Sequence, residues 1–349
     1  MRNVTMRTSL WLAAVPVMAL LASPAVASEA AHIEHEEWSF AGFKGRYDKN
    51  QLQRGFQVYQ NVCSSCHGLN RIYFRNLVQP GGPEFPEEAV KALAAEWPNQ
   101  IPETNDAGES AVTTKDKDGK TNGFKLVKRA PGLPDPILGP FANEKVARAT
   151  FGGALPPDLS VIAKARNVEY HGSWIGHPLS MMKDIVKGYQ EGGPDYIHAL
   201  LTHYKDQPPA YLRDDKGKLV AASDADAADK SKNAERCISV AAGEEGKPDT
   251  CNKLGDGMNY NTVYPGGQIA MSPPLADGVV AYGPGADGSA AAPATSDQYA
   301  RDVAAFLAWT ADPALNSRKS IGWSVMLYLL VTTVLLYLGK KRIWSRIEH

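Results

Sequence analysis

Cys63-Ser64-Ser65-Cys66-His67 places two thiols three residues apart and an imidazole directly after the second. This is the spacing of a c-type haem attachment motif. The chemistry requires it: two thiols add to the two vinyl groups of one porphyrin, and the adjacent imidazole then meets the iron on its proximal face. A haem held this way cannot dissociate. With four Cys and eight His in 349 residues, chance would supply about 0.001 such motifs. A CxxC pair also serves as a redox couple or as half of a zinc site. The first usually accompanies a βαβ pattern and the second needs more Cys or His nearby, and the sequence has neither. A single motif implies one haem per chain.

The second face of the iron needs its own ligand. Outside the two apolar terminal segments the chain has Met181, Met182, Met258 and Met271. Met181 and Met182 fall in a helical pattern, where Met is more often core filler. Met258 lies in a Gly-rich turn. Met271 lies in Gly266-Gly267-Gln268-Ile269-Ala270-Met271-Ser272-Pro273-Pro274, where two Gly and two Pro make an irregular, stiff loop suited to presenting a thioether. Met271 is therefore the expected distal ligand. The competitors are His171, His177, His198 and His203, or an open position. His/Met ligation raises the reduction potential and closes the iron to substrate, which favours electron transfer. An open site favours peroxide or gas chemistry.

The elements that must position these groups can be read on either side of the motif. Gln51 to Val62 carries Leu52, Gly55, Phe56 and Tyr59 at three- and four-residue spacing, which predicts an amphipathic helix delivering the Cys residues. Gly55 leaves room for a second helix to approach closely. The candidate partner is Gln298 to Thr310, with Tyr299, Val303, Phe306, Leu307 and Thr310 on one stripe and Ser296 and Asp297 as caps. An N-terminal helix crossing a C-terminal one beside a haem is the core of small cytochromes c. The predicted class is mainly α: a cytochrome c-like haem domain with large insertions, plus one C-terminal transmembrane helix.

The ends of the chain set its compartment. Arg2 and Arg7, an apolar run from Leu10 to Leu21, and Ala25-Val26-Ala27 have the layout of a secretory signal peptide over residues 1–27. Ile321 to Leu338 is 18 residues without a charge, about 27 Å of helix at 1.5 Å per residue, enough to cross a hydrocarbon core. Arg318 and Lys319 precede this run, and Lys340, Lys341, Arg342 and Arg346 follow it. That bias puts the tail inside. The expected layout is a periplasmic haem domain at 28–317, an anchor at 318–339 in the bacterial inner membrane and a cytoplasmic tail at 340–349.

The whole chain is near neutral, with 37 Lys+Arg and 38 Asp+Glu. Setting aside eight cations and one anion at the ends leaves 29 against 37, about −8 on the external part. Such a body steers a basic partner at low salt, or simply stays soluble; no nucleic-acid partner is expected. Cys237 and Cys251, the remaining cysteines of an exported domain, are expected to bond to each other and close a loop worth about 3 kcal/mol; two free thiols are the alternative. Around Lys117-Asp118-Gly119-Lys120 a hairpin is predicted.

With these features in place the sequence resembles the cytochrome c1 family, the haem subunits of ubiquinol:cytochrome c oxidoreductases (cytochrome bc1 complexes), in its bacterial form. Five ordered runs carry the resemblance: Arg54 to Tyr59 leading into the haem motif, Gly153 to Ser160, Gly192 to Leu201, the Met271 loop, and Asp302 to Trp309. The resemblance implies Met271 as distal ligand, Arg166 on a haem propionate and Tyr196 beside the haem. It also implies a one-electron relay from a Rieske iron-sulfur protein to a cytochrome c, docking on a cytochrome b subunit, and a dimeric complex. Extra residues at about 167–191 and 206–262 depart from shorter members. A tethered haem peroxidase or gas sensor, and a carrier that shuttles alone, are the competing readings.

Overall fold

A computed structural model describes residues 33–103, 111–115, 117–166, 192–243, 247–284 and 290–345. The expected leader and the expected insertion at 167–191 lie outside the described residues. Among the described residues the α-helices are α1 (Lys49–Asn61), α2 (Glu87–Ala95), α3 (Glu144–Thr150), α4 (Ile162–Ala165), α5 (Gly193–Thr202), α6 (Asp224–Ala228), α7 (Ser296–Ala311) and α8 (Leu315–Trp344). Described strands are six residues or shorter, so helices dominate the core, as predicted.

The two helices read from the sequence form and cross. Asp48 caps α1, its carboxylate accepting from the Gln51 N–H at 2.7 Å. The cap of α7 is Thr295, whose hydroxyl accepts from the Gln298 N–H at 3.3 Å; Ser296 and Asp297, expected as caps, lie inside the first turn. Gly55 is the crossing point: a Cβ there would lie 2.1 Å from the Asp302 carbonyl oxygen and 2.6 Å from the Phe306 Cβ. Only a residue without a side chain permits this approach. Phe56 meets Phe306 edge-on at 5.6 Å, and Tyr59 and Trp309 pack on the same ring at 6.0 and 5.6 Å. Each such fully buried ring contributes roughly 1.5–3 kcal/mol. Beside them Arg54 grips the wholly buried Asp302 with two N–H groups at 2.9 and 3.1 Å, a bidentate pair that fixes the register of the crossing. Helices α4 and α5 complete the bundle against α7.

A strap over residues 33–47 wraps this bundle. Trp38, Phe40 and Tyr47 are buried. The Trp38 indole N–H and the Glu36 backbone N–H both donate to the buried Asp195 carboxylate, at 2.6 and 3.2 Å. Three residues separate α7 from α8, and the corner is clamped. Arg318 and Lys164 converge on the Asp312 carboxylate at 2.5 and 3.3 Å. Burial alone would raise that carboxyl, but the two cations outweigh it and hold it below the usual range. Helix α8 contains the predicted 18-residue apolar run, and its apolar side chains are exposed.

The smaller strands organise what lies outside the bundle. Ala111–Lys115 pairs with Thr121–Leu126 in the predicted hairpin, with Gly119 at φ 76° in its turn. The stretch 206–262, expected as an insertion, contains a three-stranded sheet (Glu235–Arg236, Ala210–Arg213, Leu219–Ala222) and the ladder of Ser239–Ala241 with Thr250–Asn252. Cys237 and Cys251 are joined in a disulfide there. Its last strand, Asn259–Asn261, pairs on one side with Tyr204–Lys205 and on the other with Gln268–Ile269.

Candidate haem site

Cys63, Ser64 and Ser65 form one 3-10 turn directly after α1. The Cys66 and His67 N–H groups both donate to the Cys63 carbonyl, at 3.1 and 2.8 Å, so both thiols and the imidazole emerge from a single tight turn. Ser64 and Ser65 send their hydroxyls back to the Gln60 and Val62 carbonyls at 2.7 and 2.8 Å. The buried Tyr59 hydroxyl donates to the His67 carbonyl at 3.0 Å. The helix core thus holds the motif's last residue from beneath.

His67 is oriented from across the chain. Its Nδ1 lies 2.8 Å from the Pro157 carbonyl. A carbonyl oxygen only accepts, so Nδ1 carries the proton and Nε2 presents a lone pair, the tautomer of a metal-binding imidazole. Burial pushes the imidazole below its usual value, against the opposing effects of Pro157 and the nearby Asp158 carboxylate; the ring is neutral at pH 7. The Pro157 segment is stitched to the strand that follows the motif. Asn70 N–H donates to Asp158 at 2.8 Å, Arg71 N–H to the Ser160 hydroxyl at 3.0 Å and Leu159 N–H to the Gly68 carbonyl at 2.9 Å. Gly68 and Gly139 face each other so closely that a Cβ on Gly68 would lie 2.6 Å from the Gly139 nitrogen.

These residues fit a covalent haem. Cys63 and Cys66 are both unbridged. Burial, then the neighbouring Cys66, push the Cys63 thiol up to about 12, the reverse of the lowered value a dithiol redox couple needs. Among the described residues no cluster of three His, Cys, Asp or Glu gathers to form a zinc site.

The remaining predicted residues form a second group. Met271 follows the strand Gln268–Ile269, is half-buried, and receives at its carbonyl the Tyr204 hydroxyl at 3.1 Å. Burial raises the Tyr204 phenol and the neighbouring Tyr196 raises it further. Tyr196, buried on α5, is raised by burial and lowered by the charge of nearby Arg166. Arg166 is exposed and ends α4. Of these four residues, Tyr204 and Met271 are joined by a hydrogen bond, and Arg166 and Tyr196, and Tyr196 and Tyr204, act on one another through charge. Both groups converge on residues 157–166, whose start holds His67 and whose end packs so tightly on α5 that a Cβ on Gly193 would lie 1.6 Å from the Ala163 carbonyl.

Of the competing ligands, His198 is engaged by Asp297 at 3.0 Å and Glu36 at 3.4 Å. His203 Nδ1 lies 2.9 Å from the Ala199 carbonyl. Met258 packs in its turn against Gly255. His171, His177, Met181 and Met182 lie outside the described residues. Sequence reasoning did not find the parts played by Pro157, Gly139 and Tyr204. For Pro157 the signal was present, since it falls within one of the matched runs, but the run does not say which atom meets His67.

The Cytochrome C1 family model matches residues 38–347. The chain is similar to cytochrome c1 of Blastochloris viridis, 39% identical over 337 residues, 97% of this chain and 95% of the relative. It is 33% identical to cytochrome c1 of Cereibacter sphaeroides over 339 residues, 97% and 96% of the two chains. It is also 36% identical over 310 residues to cytochrome b/c1 of Bradyrhizobium diazoefficiens, covering 88% of this chain and 35% of that longer relative.

Proposed function

The chain belongs to the cytochrome c1 family, whose members carry one covalently attached c-type haem and serve as membrane-anchored subunits of the bc1 complex, and from this premise we propose that it relays single electrons from a Rieske iron-sulfur protein to a cytochrome c. The haem supplies a reversible one-electron carrier. Everything else is done by side chains. Cys63 and Cys66 would hold the porphyrin, and His67, its ring set by the Pro157 carbonyl, would supply an imidazole to the iron. Met271 would supply a thioether to the iron, which would close it to small ligands and raise the potential. Arg166, whose charge acts on the Tyr196 phenol, would offer a cation to a propionate.

In this reading the haem domain faces the periplasm, with the Lys/Arg-rich end of α8 in the cytoplasm. It docks on a cytochrome b subunit, in keeping with the fused name of the cytochrome b/c1 relative, in a dimeric complex. The observation that carries the reading is the Nδ1 bond of His67 to Pro157, which leaves Nε2 for iron on a motif built for haem. The test is spectroscopic. Intact ferrous protein should resist carbon monoxide. Met271→Leu should lose the thioether-to-iron charge-transfer band and shift the potential down by a sizeable part of the roughly 0.8 V range that axial ligands control. An unchanged spectrum would reassign the ligand, and ready carbon monoxide binding by the unaltered protein would favour the peroxidase or sensor reading.

A further inference from the structure

The strap carries one large apolar side chain on its outside. Phe43 is 62% exposed, while Phe40, three residues earlier, is 7% exposed. The turn between them is rigid: Gly42 has φ 67°, and a Cβ on Gly45 would lie 1.9 Å from the Ala41 carbonyl. Phe43 therefore cannot fold back onto the core without dismantling the turn.

The turn is fastened to the membrane helix. The Lys319 ammonium donates to the carbonyls of Phe40, Gly42 and Gly45 at 2.6, 2.5 and 3.3 Å. The next residues reinforce this: Tyr47 N–H donates to the Asn316 side chain at 3.1 Å, and its hydroxyl donates to the Ala308 carbonyl at 3.1 Å. Lys319 lies two residues before Ile321, about 3 Å of helix rise from the start of the apolar run. Phe43 is thus held at the level where α8 enters the lipid. Lys44 and Arg46, which follow it in the chain, are exposed, and Trp323 stands exposed on the helix just beyond.

We propose that the Phe43 turn is a second, interfacial contact with the bilayer: the ring enters the boundary between headgroups and acyl chains, and Lys44 and Arg46 face lipid phosphates. An exposed aromatic ring followed by two cations, on a turn tied to an anchoring helix just before its apolar run, matches the chemistry of that boundary. The surface is also continuous with the one α8 already presents to lipid. Charge favours lipid over a protein groove, since an apolar protein pocket would have to desolvate two cations beside the ring. The contact makes the domain rest on the membrane as well as hang from it.

The test uses native membranes containing the assembled complex. The photo-crosslinking residue p-benzoylphenylalanine is placed at position 43, with position 323 as a lipid-facing control and position 220, another exposed apolar site on the external domain, as a water-facing one. An unchanged haem spectrum shows that each variant is folded. After illumination, mass spectrometry should find phospholipid adducts at position 43 in yields comparable to position 323, and none at position 220. Adducts to another polypeptide at position 43 would overturn the proposal in favour of a protein interface. Absence of any adduct there, with the control at 323 positive, would overturn it in favour of solvent.

Discussion

The hydroxyl of Tyr204 donates to the backbone carbonyl of Met271, so the short strand Tyr204–Lys205 that follows α5 holds the proposed distal ligand by its main chain. Tyr204→Phe removes that bond with little change of shape and leaves the carbonyl short of a donor. The expected loss is about 1 kcal/mol, felt in the loop more than in the bundle. The charge-transfer band should persist near neutral pH and disappear at a lower alkaline pH than in the unaltered protein. A titration indistinguishable from the unaltered one would show that Tyr204 does not restrain the loop.

Gly55→Ala poses a contest between two opposite effects. Ala favours an α1 helix over Gly by about 1 kcal/mol. The new Cβ would meet main-chain oxygen at 2.1 Å, and overpacking of this kind costs about 1–3 kcal/mol. A backbone atom in a helix cannot swing aside as a side chain can, so the clash wins. The variant should unfold at a lower temperature. Asp302→Asn should also destabilise, by about 2 kcal/mol, less than the 3–5 of a fully buried pair because the Arg54 side chain is 27% exposed and keeps some water. Thermal melts of the two variants check both signs.

Asp249 supplies a pH dependence confined to the disulfide-bearing segment. Its carboxylate accepts from the Leu219 and Gly243 N–H groups, both at 3.0 Å, and from Lys218 at 3.0 Å. These bonds lower it from 3.8 to about 2. A depressed carboxyl stabilises the folded form above its unfolded value, so the benefit is complete above about pH 4 and lost as pH falls through 2. Amide exchange at Leu219 and Gly243 should remain slow at pH 4 and quicken below 2. In Asp249→Asn the same two amides should exchange faster even at neutral pH. Protection that ignores both changes would mean that other contacts hold the segment.

What the sequence disclosed was what local spacing encodes. The haem motif, both crossing helices, the role of Gly55, the 111–126 hairpin and the apolar run all rest on residues within a few positions of one another. The pairing of Cys237 with Cys251 needed only a count of cysteines and a compartment. By contrast, the partner of His67 is 90 residues away and is a carbonyl, which every residue possesses. Asp195 receives the strap through Trp38 157 residues distant, and no periodicity announces such a bond. The α7 cap was misplaced by one residue because Thr295, Ser296 and Asp297 are all competent, and backbone geometry chose among them.

The corner between α7 and α8 is only three residues long and is locked by Asp312. Body and stalk therefore behave as one stiff post, with little freedom to lean or swivel. A redox group carried on such a post keeps a nearly constant height above the bilayer. Its distance to any other redox centre can then change only if that other centre moves.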